Sequence, residues 1–181
     1  ESFSTPSDIL RLWEKLDRST QWLGGGAVTA ARSAIDISLW DALGKLLRKP
    51  VWQLLQQIMA TKSDKPTTPR RTEVMAYGSC TMPHTTEEIH RVVAAVAAQG
   101  FLAVKIAWGP FGAVSDELDE QLVAAARRAL PDGVDLLIDG GGSSPDEREG
   151  KGWEWALRKT AMLAKYGVKF YEEPLHPTDF E

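Results

Sequence analysis

Between residues 74 and 173, short apolar runs alternate with longer segments in which apolar residues recur every three or four positions. The longer segments have the period of amphipathic helices, whereas the short runs are almost continuously apolar, as is typical of parallel strands covered by helices. The predicted strands are 74–79, 101–108, 134–139 and 168–173, and the predicted helices are 86–99, 116–130 and 153–166. The pattern therefore predicts the order β-α-β-α-β-α-β, with right-handed crossovers between parallel strands.

Local signals support these helix limits. Thr85 and Glu88 have the spacing of a capping box at the start of the first helix. Gly100 and Gly167 stand where helices commonly end, because glycine adopts the left-handed conformation of a helix stop without strain.

The first 60 residues have a helical pattern throughout. Apolar residues recur at every fourth position in a stripe formed by Ala31, Ile35, Leu39 and Leu43. This stripe predicts a packed amphipathic helix, and Pro50 prevents the helix from continuing. Residues 61–71 are rich in Lys, Thr and Pro, which indicates a surface linker. We therefore predict a helical region at 1–60, a linker at 61–73 and a strand–helix domain at 74–181.

Acidic residues stand at the ends of two successive predicted strands. Asp139 closes the third strand, and Glu172 and Glu173 close the fourth. Parallel strands in a barrel-like α/β fold present their carboxyl ends at one mouth, where carboxylates can offer oxygen ligands to a divalent ion. The sequence therefore predicts that the functional site lies at this edge.

Several segments resemble one known family. Residues 31–45, followed by Pro50-Val51, are similar to the signature of the mandelate racemase/muconate lactonizing enzymes of the enolase superfamily. Ala103-Val104-Lys105, Ile138-Asp139 and Tyr171-Glu172-Glu173-Pro174 match the order and spacing of that family's second, third and fourth barrel strands. The resemblance covers most of the chain.

The resemblance implies an α/β fold: a partial (β/α)-barrel of the modified TIM type, with four strands visible, and the helical part of an N-terminal capping domain. It also implies that Mg²⁺ stabilises the enolate formed when a proton is taken from the carbon next to a carboxylate. By the same match, Asp139 and Glu172 are expected to be metal ligands, Glu173 a supporting neighbour of those ligands, and Lys105 a catalytic residue.

Two departures from the family pattern limit what can be carried over. The racemase-like members have a second lysine as general base two residues after the first, but this chain has Ala107 there, which cannot accept a proton. We therefore expect the base, and a third acidic ligand on a fifth strand, to lie beyond Glu181. Only four strands are visible, so we expect either a piece of a longer protein or halves that assemble, with a homo-oligomer as the expected state.

A base on a later strand favours an acid-sugar dehydratase, which removes water from a hydroxy acid. The alternatives are a racemase or muconate-type cycloisomerase of the same family, or a non-catalytic scaffold that lacks the third ligand and the base.

The individual residues also have simpler interpretations. Asp139 stands before a glycine run and could be a turn aspartate, and Lys105 could be a solvated lysine at a strand end. Trp108 ends the second predicted strand and His84 follows the first, and both are candidates for substrate binding. A tryptophan beside Gly and Pro often only packs a turn, and His84, like His176, could be an ordinary surface histidine.

The composition excludes some classes of binding partner. The net charge of −4 and the absence of a long basic run argue against nucleic acid, and no apolar stretch approaches the length of a membrane span. The single cysteine, Cys80, fits a reducing compartment. We expect a cytoplasmic protein that binds a small carboxylate substrate, with neither a membrane nor a nucleic acid as partner.

Overall fold

The computed structural model describes residues 3–62, 73–141 and 152–175. The chain divides into two compact units, Glu1–Thr72 and Glu73–Glu181. Most of the predicted linker lies outside the described residues, so the domain bounds given above stay a prediction. None of the helices in the described ranges is long and apolar enough to cross a membrane.

The first unit is helical. It consists of α1 (Pro6–Thr20), a short 3-10 turn (Gln21–Leu23), α2 (Ala27–Leu47) and α3 (Val51–Lys62). Its buried core is formed by Ile9, Trp40, Leu43 and Leu54, one or two from each helix. The predicted stripe on α2 is only partly correct, because Leu43 is buried while Ile35 is exposed. Apolar residues surround α2 on all sides, so periodicity alone did not identify the face that packs in this core.

The second unit contains the predicted parallel sheet and its helices. Its elements are β1 (Gly78–Thr81), α4 (Thr86–Ala97), β2 (Ala103–Ala107), α5 (Asp116–Ala129), β3 (Asp135–Asp139), α6 (Trp153–Lys165) and β4 (Val168–Glu172). The strands are all parallel and lie in the order β1-β2-β3-β4. The fold class is confirmed as a mixed α/β structure consistent with a partial TIM-type barrel and a helical capping region.

The first predicted strand is displaced from its observed position. The sequence predicts a strand at 74–79, but pairing with β2 begins at Gly78, opposite Val104, and continues to Thr81. Val74 and Met75 lie before the sheet and are exposed. The predicted strand therefore begins too early, because these two apolar residues are not buried in this unit.

Alternate residues of β2 and β3 face the helices. Val104, Ile106, Leu136 and Ile138 are fully buried and belong to one core cluster with residues of α4, α5 and α6. Each such side chain stabilises the fold by about 1.5–3 kcal/mol relative to an exposed one. Lys105 lies between Val104 and Ile106 and therefore points to the opposite face of the sheet.

A β-bulge interrupts the pairing of β3 with β4. Leu136 pairs with Val168 and Ile138 pairs with Tyr171, so β4 advances three residues where β3 advances two. Val168 and Tyr171 both pack against the helix-covered core. The extra residue in β4 thus lies between two core positions, and pairing resumes with Asp139 opposite Glu172.

Candidate functional site

The carboxyl ends of the four strands form one row across the sheet. Thr81, Ala107, Asp139 and Glu172 are paired in register along it. Paired residues of neighbouring parallel strands point to the same face, so the carboxylates of Asp139 and Glu172 lie side by side. Ala107 contributes only a methyl group to this row.

Lys105 joins the two carboxylates. Its Nζ donates to Asp139 Oδ2 at 3.2 Å and to Glu172 Oε2 at 2.7 Å. The side chains of Lys105 and Asp139 are 12% and 6% exposed, whereas that of Glu172 is 41% exposed. The hydrogen bond to Glu172, with a further contribution from Asp139, raises the pKa of the Lys105 ammonium above its usual value. Lys105 therefore carries a positive charge at neutral pH.

The backbone holds Asp139 in place on both sides. Its carboxylate Oδ1 accepts a hydrogen bond from the backbone N–H of Gly141 at 3.0 Å. Its carbonyl oxygen accepts from the N–H of Trp108 at 3.2 Å, and the N–H of Gly140 donates to the carbonyl of Glu172 at 2.9 Å. These bonds fix the two strand ends relative to each other.

Trp108 lies beside these strand ends in an uncommon backbone conformation. Its φ angle is 57°, in the left-handed region, and the residue is 63% exposed. A Cβ placed on Gly141 would come within 2.6 Å of the Trp108 ring, so the indole lies directly against that glycine. Trp108 thus lies close to Asp139, and its substrate-binding role stays a prediction.

The other candidates are less closely associated with this site. Glu173 is exposed and has a left-handed φ of 49°. His84 is exposed and lies in the loop between β1 and α4. His176 lies outside the described residues. The roles suggested for Glu173 and His84 stay predictions.

Tyr77 is an aromatic residue of the site that the sequence did not predict. The Lys105 ammonium lies 5.5 Å from the centre of the Tyr77 ring, within the range of a cation–π interaction. Tyr77 directly precedes β1, and the only sequence signal that could have pointed to it is an aromatic residue next to a strand.

The adjacent carboxylates of Asp139 and Glu172 offer two oxygen ligands of the kind that Mg²⁺ prefers. Within the described ranges, no group of three or more His, Cys, Asp or Glu side chains is arranged to hold a metal ion. The third acidic ligand that the resemblance implies is not among these residues.

Four parallel strands connected by helices, two of them ending in an acidic side chain at the same edge, are consistent with a partial TIM-type barrel. Residues 87–181 match the family model described as enolase C-terminal domain-like, and residues 4–56 match the mandelate racemase/muconate lactonizing enzyme N-terminal domain. The chain belongs to the mandelate racemase/muconate lactonizing enzyme family of the enolase superfamily.

Similar proteins include two sugar-acid dehydratases. The chain is 28% identical over 173 residues to an arabinonate dehydratase from Saccharolobus solfataricus, covering 93% of this chain and 40% of that protein. It is 33% identical over 161 residues to a D-gluconate dehydratase from Thermoproteus tenax, covering 83% of this chain and 28% of that protein. The chain therefore spans less than half the length of either relative.

A solved structure with the same fold contains a metal. An enolase from Bradyrhizobium, complexed with magnesium and mandelic acid, aligns with a TM-score of 0.68 and 26% identity. The alignment covers 94% of this chain and 42% of that one. The family thus includes dehydratases and at least one structure with bound magnesium.

Proposed function

We propose that Asp139 and Glu172 hold Mg²⁺ in a lyase or isomerase that acts on a small carboxylate substrate. The observation that carries this proposal is the convergence of both carboxylates on the Lys105 ammonium, at 3.2 and 2.7 Å. An ammonium between carboxylates of adjacent strands marks a position where the local charge favours a cation. The same charge favours a divalent ion when Lys105 turns toward a substrate.

The donor atoms fit the chemistry of magnesium. Mg²⁺ prefers hard oxygen ligands and is commonly held by one or two carboxylates together with water. Asp139 is preorganised by the Gly141 N–H, and Glu172 is sufficiently exposed to be reached from solvent. Two such carboxylates can hold the ion as part of a larger ligand set.

The metal would supply charge stabilisation to the substrate carboxylate as the adjacent carbon loses its proton. The Lys105 ammonium donates to two carboxylates in the structure, so it is suited to donate hydrogen bonds to a carboxylate substrate, and an ammonium does not accept a proton. Ala107 cannot accept a proton either. We therefore assign Lys105 to substrate binding and charge stabilisation, with the base outside the described residues.

The relatives favour one reaction within this class. The arabinonate and D-gluconate dehydratases suggest dehydration of a sugar acid as the activity of the protein. The proposal predicts Mg²⁺-dependent formation of a 2-oxo acid from D-gluconate or arabinonate by the full-length protein. Racemisation of mandelate without dehydration of either sugar acid would instead support the racemase alternative.

Calorimetric titration with Mg²⁺ tests the ligand assignment directly. Asp139→Asn and Glu172→Gln should each weaken binding by about tenfold or more, since each replaces a charged oxygen ligand with a neutral one. Asp135→Asn is the matched control, because Asp135 lies at the opposite end of the same strand. Equal heats for the unaltered chain and all three variants would reject the proposed ligands.

We also propose a homo-oligomer in the cytoplasm. Among the described strands, β1 and β4 each pair on one side, and a strand edge that stays unpaired favours association with another chain. Light scattering during size-exclusion chromatography would test this, and a monomer at micromolar concentration would contradict it.

A further inference from the structure

A second charged group lies in the core of the β/α unit, away from the strand-end carboxylates. Asp119 of α5 is fully buried and Lys159 of α6 is 2% exposed. The Lys159 ammonium forms an ion pair with Asp119 and another, at 2.7 Å, with Asp116. Burial raises the pKa of the Asp119 carboxyl, against the opposing effect of the adjacent ammonium. Such a group needs a physical reason, because well-packed apolar residues are often as stabilising as a buried ion pair.

Asp119 also binds the segment that follows β2. The backbone N–H of Gly112 donates to both carboxylate oxygens of Asp119, at 3.1 and 2.9 Å. The Lys159 ammonium lies 5.4 Å from the centre of the Phe111 ring. The ion pair therefore contacts two consecutive residues of one loop.

This loop begins at Trp108 and has a constrained backbone. Trp108, Gly109 and Gly112 all have positive φ angles, of 57°, 84° and 75°. The Trp108 N–H is bonded to the Asp139 carbonyl, and Phe111 is buried in the core. A left-handed tryptophan costs energy and persists only when its surroundings hold it.

Phe111 also contacts a residue near the carboxyl end of β4. Its ring packs edge-to-face on Tyr171, with ring centres 5.8 Å apart. A Cβ on Gly140 would come within 2.8 Å of the Tyr171 ring, so that ring supports the residue that follows Asp139. The loop is thus held at Trp108, Phe111 and Gly112, and Asp119 with Lys159 supplies the attachment at its carboxyl-terminal end.

We propose that Asp119 and Lys159 are positioning residues: they fix residues 108–112 and thereby hold the Trp108 indole beside the end of β3, as a wall of the substrate site. The wall function rests on the proposed function, whereas the positioning of Trp108 does not. The exposed face of the indole suits the C–H groups of a polyhydroxy carboxylate, with the polar groups of the ligand directed toward Lys105. Trp108 thus contributes to the choice of substrate.

The ¹⁹F spectrum of the chain labelled with 5-fluorotryptophan tests the positioning. The Trp108 line is assigned by its loss in Trp108→Phe. Asp119→Asn should shift or broaden that line, because the neutral side chain no longer holds Lys159. Asp116→Asn is the matched control, since it removes the exposed carboxylate partner of Lys159 but leaves the Gly112 hydrogen bonds intact, and it should leave the line unchanged.

A double variant separates positioning from stability. Asp119→Leu with Lys159→Met replaces the charges with apolar groups and leaves neither unpaired, so the fold is retained even if Asp119→Asn unfolds. The Trp108 line should still move, because Gly112 has lost its acceptor. An unchanged Trp108 line in this folded variant would overturn the proposal and leave the pair with a structural role alone.

Binding of D-gluconate in the presence of Mg²⁺ tests the wall. Trp108→Ala and the double variant should each weaken D-gluconate binding by about tenfold while the Mg²⁺ affinity stays within about twofold. Unchanged D-gluconate affinity in Trp108→Ala would refute the wall. If the unaltered chain binds no Mg²⁺, the proposed function fails, but the fluorine spectrum still decides whether the pair positions Trp108.

Discussion

Replacing Lys105 with methionine tests whether the strand-end carboxylates depend on a positive charge between them. Methionine retains most of the side-chain length and removes the ammonium that contacts Asp139 at 3.2 Å and Glu172 at 2.7 Å. Asp139 is almost completely buried, so the variant leaves a carboxylate without its cation in a poorly solvated position. We expect a clear loss of stability.

The magnitude follows from burial and distance. At 3.2 Å and an effective dielectric constant of about 20, the gross attraction between Lys105 and Asp139 is about 5 kcal/mol, part of which offsets desolvation. Glu172 is 41% exposed, so its ion pair with Lys105 contributes about 1 kcal/mol or less. Removing one partner of a buried pair typically costs about 3–5 kcal/mol, and we expect about 3, because Asp139 keeps the Gly141 hydrogen bond.

Urea unfolding followed by circular dichroism, with EDTA present, measures this effect. A cycle of Lys105→Met, Asp139→Asn and the double variant should give a coupling energy of about 2 kcal/mol. Lys169→Met is the matched control, because its ion pair with Asp135 is longer, at 3.9 Å, and exposed, and should be worth less than about 0.5 kcal/mol.

Equal unfolding free energies for Lys105→Met and Lys169→Met would refute the reasoning. The ammonium would then not be held between the two carboxylates, and the basis for a cation position at this edge would be lost.

Three further outcomes are expected. Gly141→Ala should displace the Trp108 ring and cost about 1–2 kcal/mol, whereas Gly133→Ala, which has the same left-handed strain but open space, should leave the Trp108 fluorine signal unchanged. Asp8 has a pKa of about 2, below the usual 3.8, because the amides of Ser4 and Thr5 donate to it; the stability it contributes to α1 should therefore be fully present above about pH 4 and be lost as the pH falls toward 2. An NMR titration would check this, and Asp8→Asn should abolish the dependence. Ser115→Ala should cost about 1 kcal/mol in chemical denaturation, because the Ser115 hydroxyl accepts the Leu118 N–H at the start of α5; no measurable loss would contradict that cap.

The apolar pattern was sufficient for the sheet because burial on both faces leaves a continuous signal. Val104, Ile106, Leu136 and Ile138 all fall within predicted strands and all face the helices. The same signal failed at Val74 and Met75, which are apolar but exposed, and at Ile35, where α2 is apolar on every side. Composition alone does not distinguish these positions from core ones.

The candidate site was predictable in its positions but not in its contacts. Asp139 and Glu172 end successive strands, so topology alone places them at one edge. Lys105 reaches both carboxylates with a long side chain from two residues before the end of β2, and no sequence pattern predicts those contacts. Asp119 and Lys159 gave no signal, because acids and lysines on amphipathic helices are usually solvated.

The additional residue of β4 implies that this strand could tolerate a deletion. Tyr171 follows Val168 by three positions, although both pack in the core, so removing Lys169 would restore regular alternation without changing the residue opposite Asp139. Phe170 would then take the single place between the two core residues, and Glu172 would keep its neighbour. A β4 shortened by one residue would thus keep Glu172 opposite Asp139, so the length of this strand can vary without loss of the carboxylate pair.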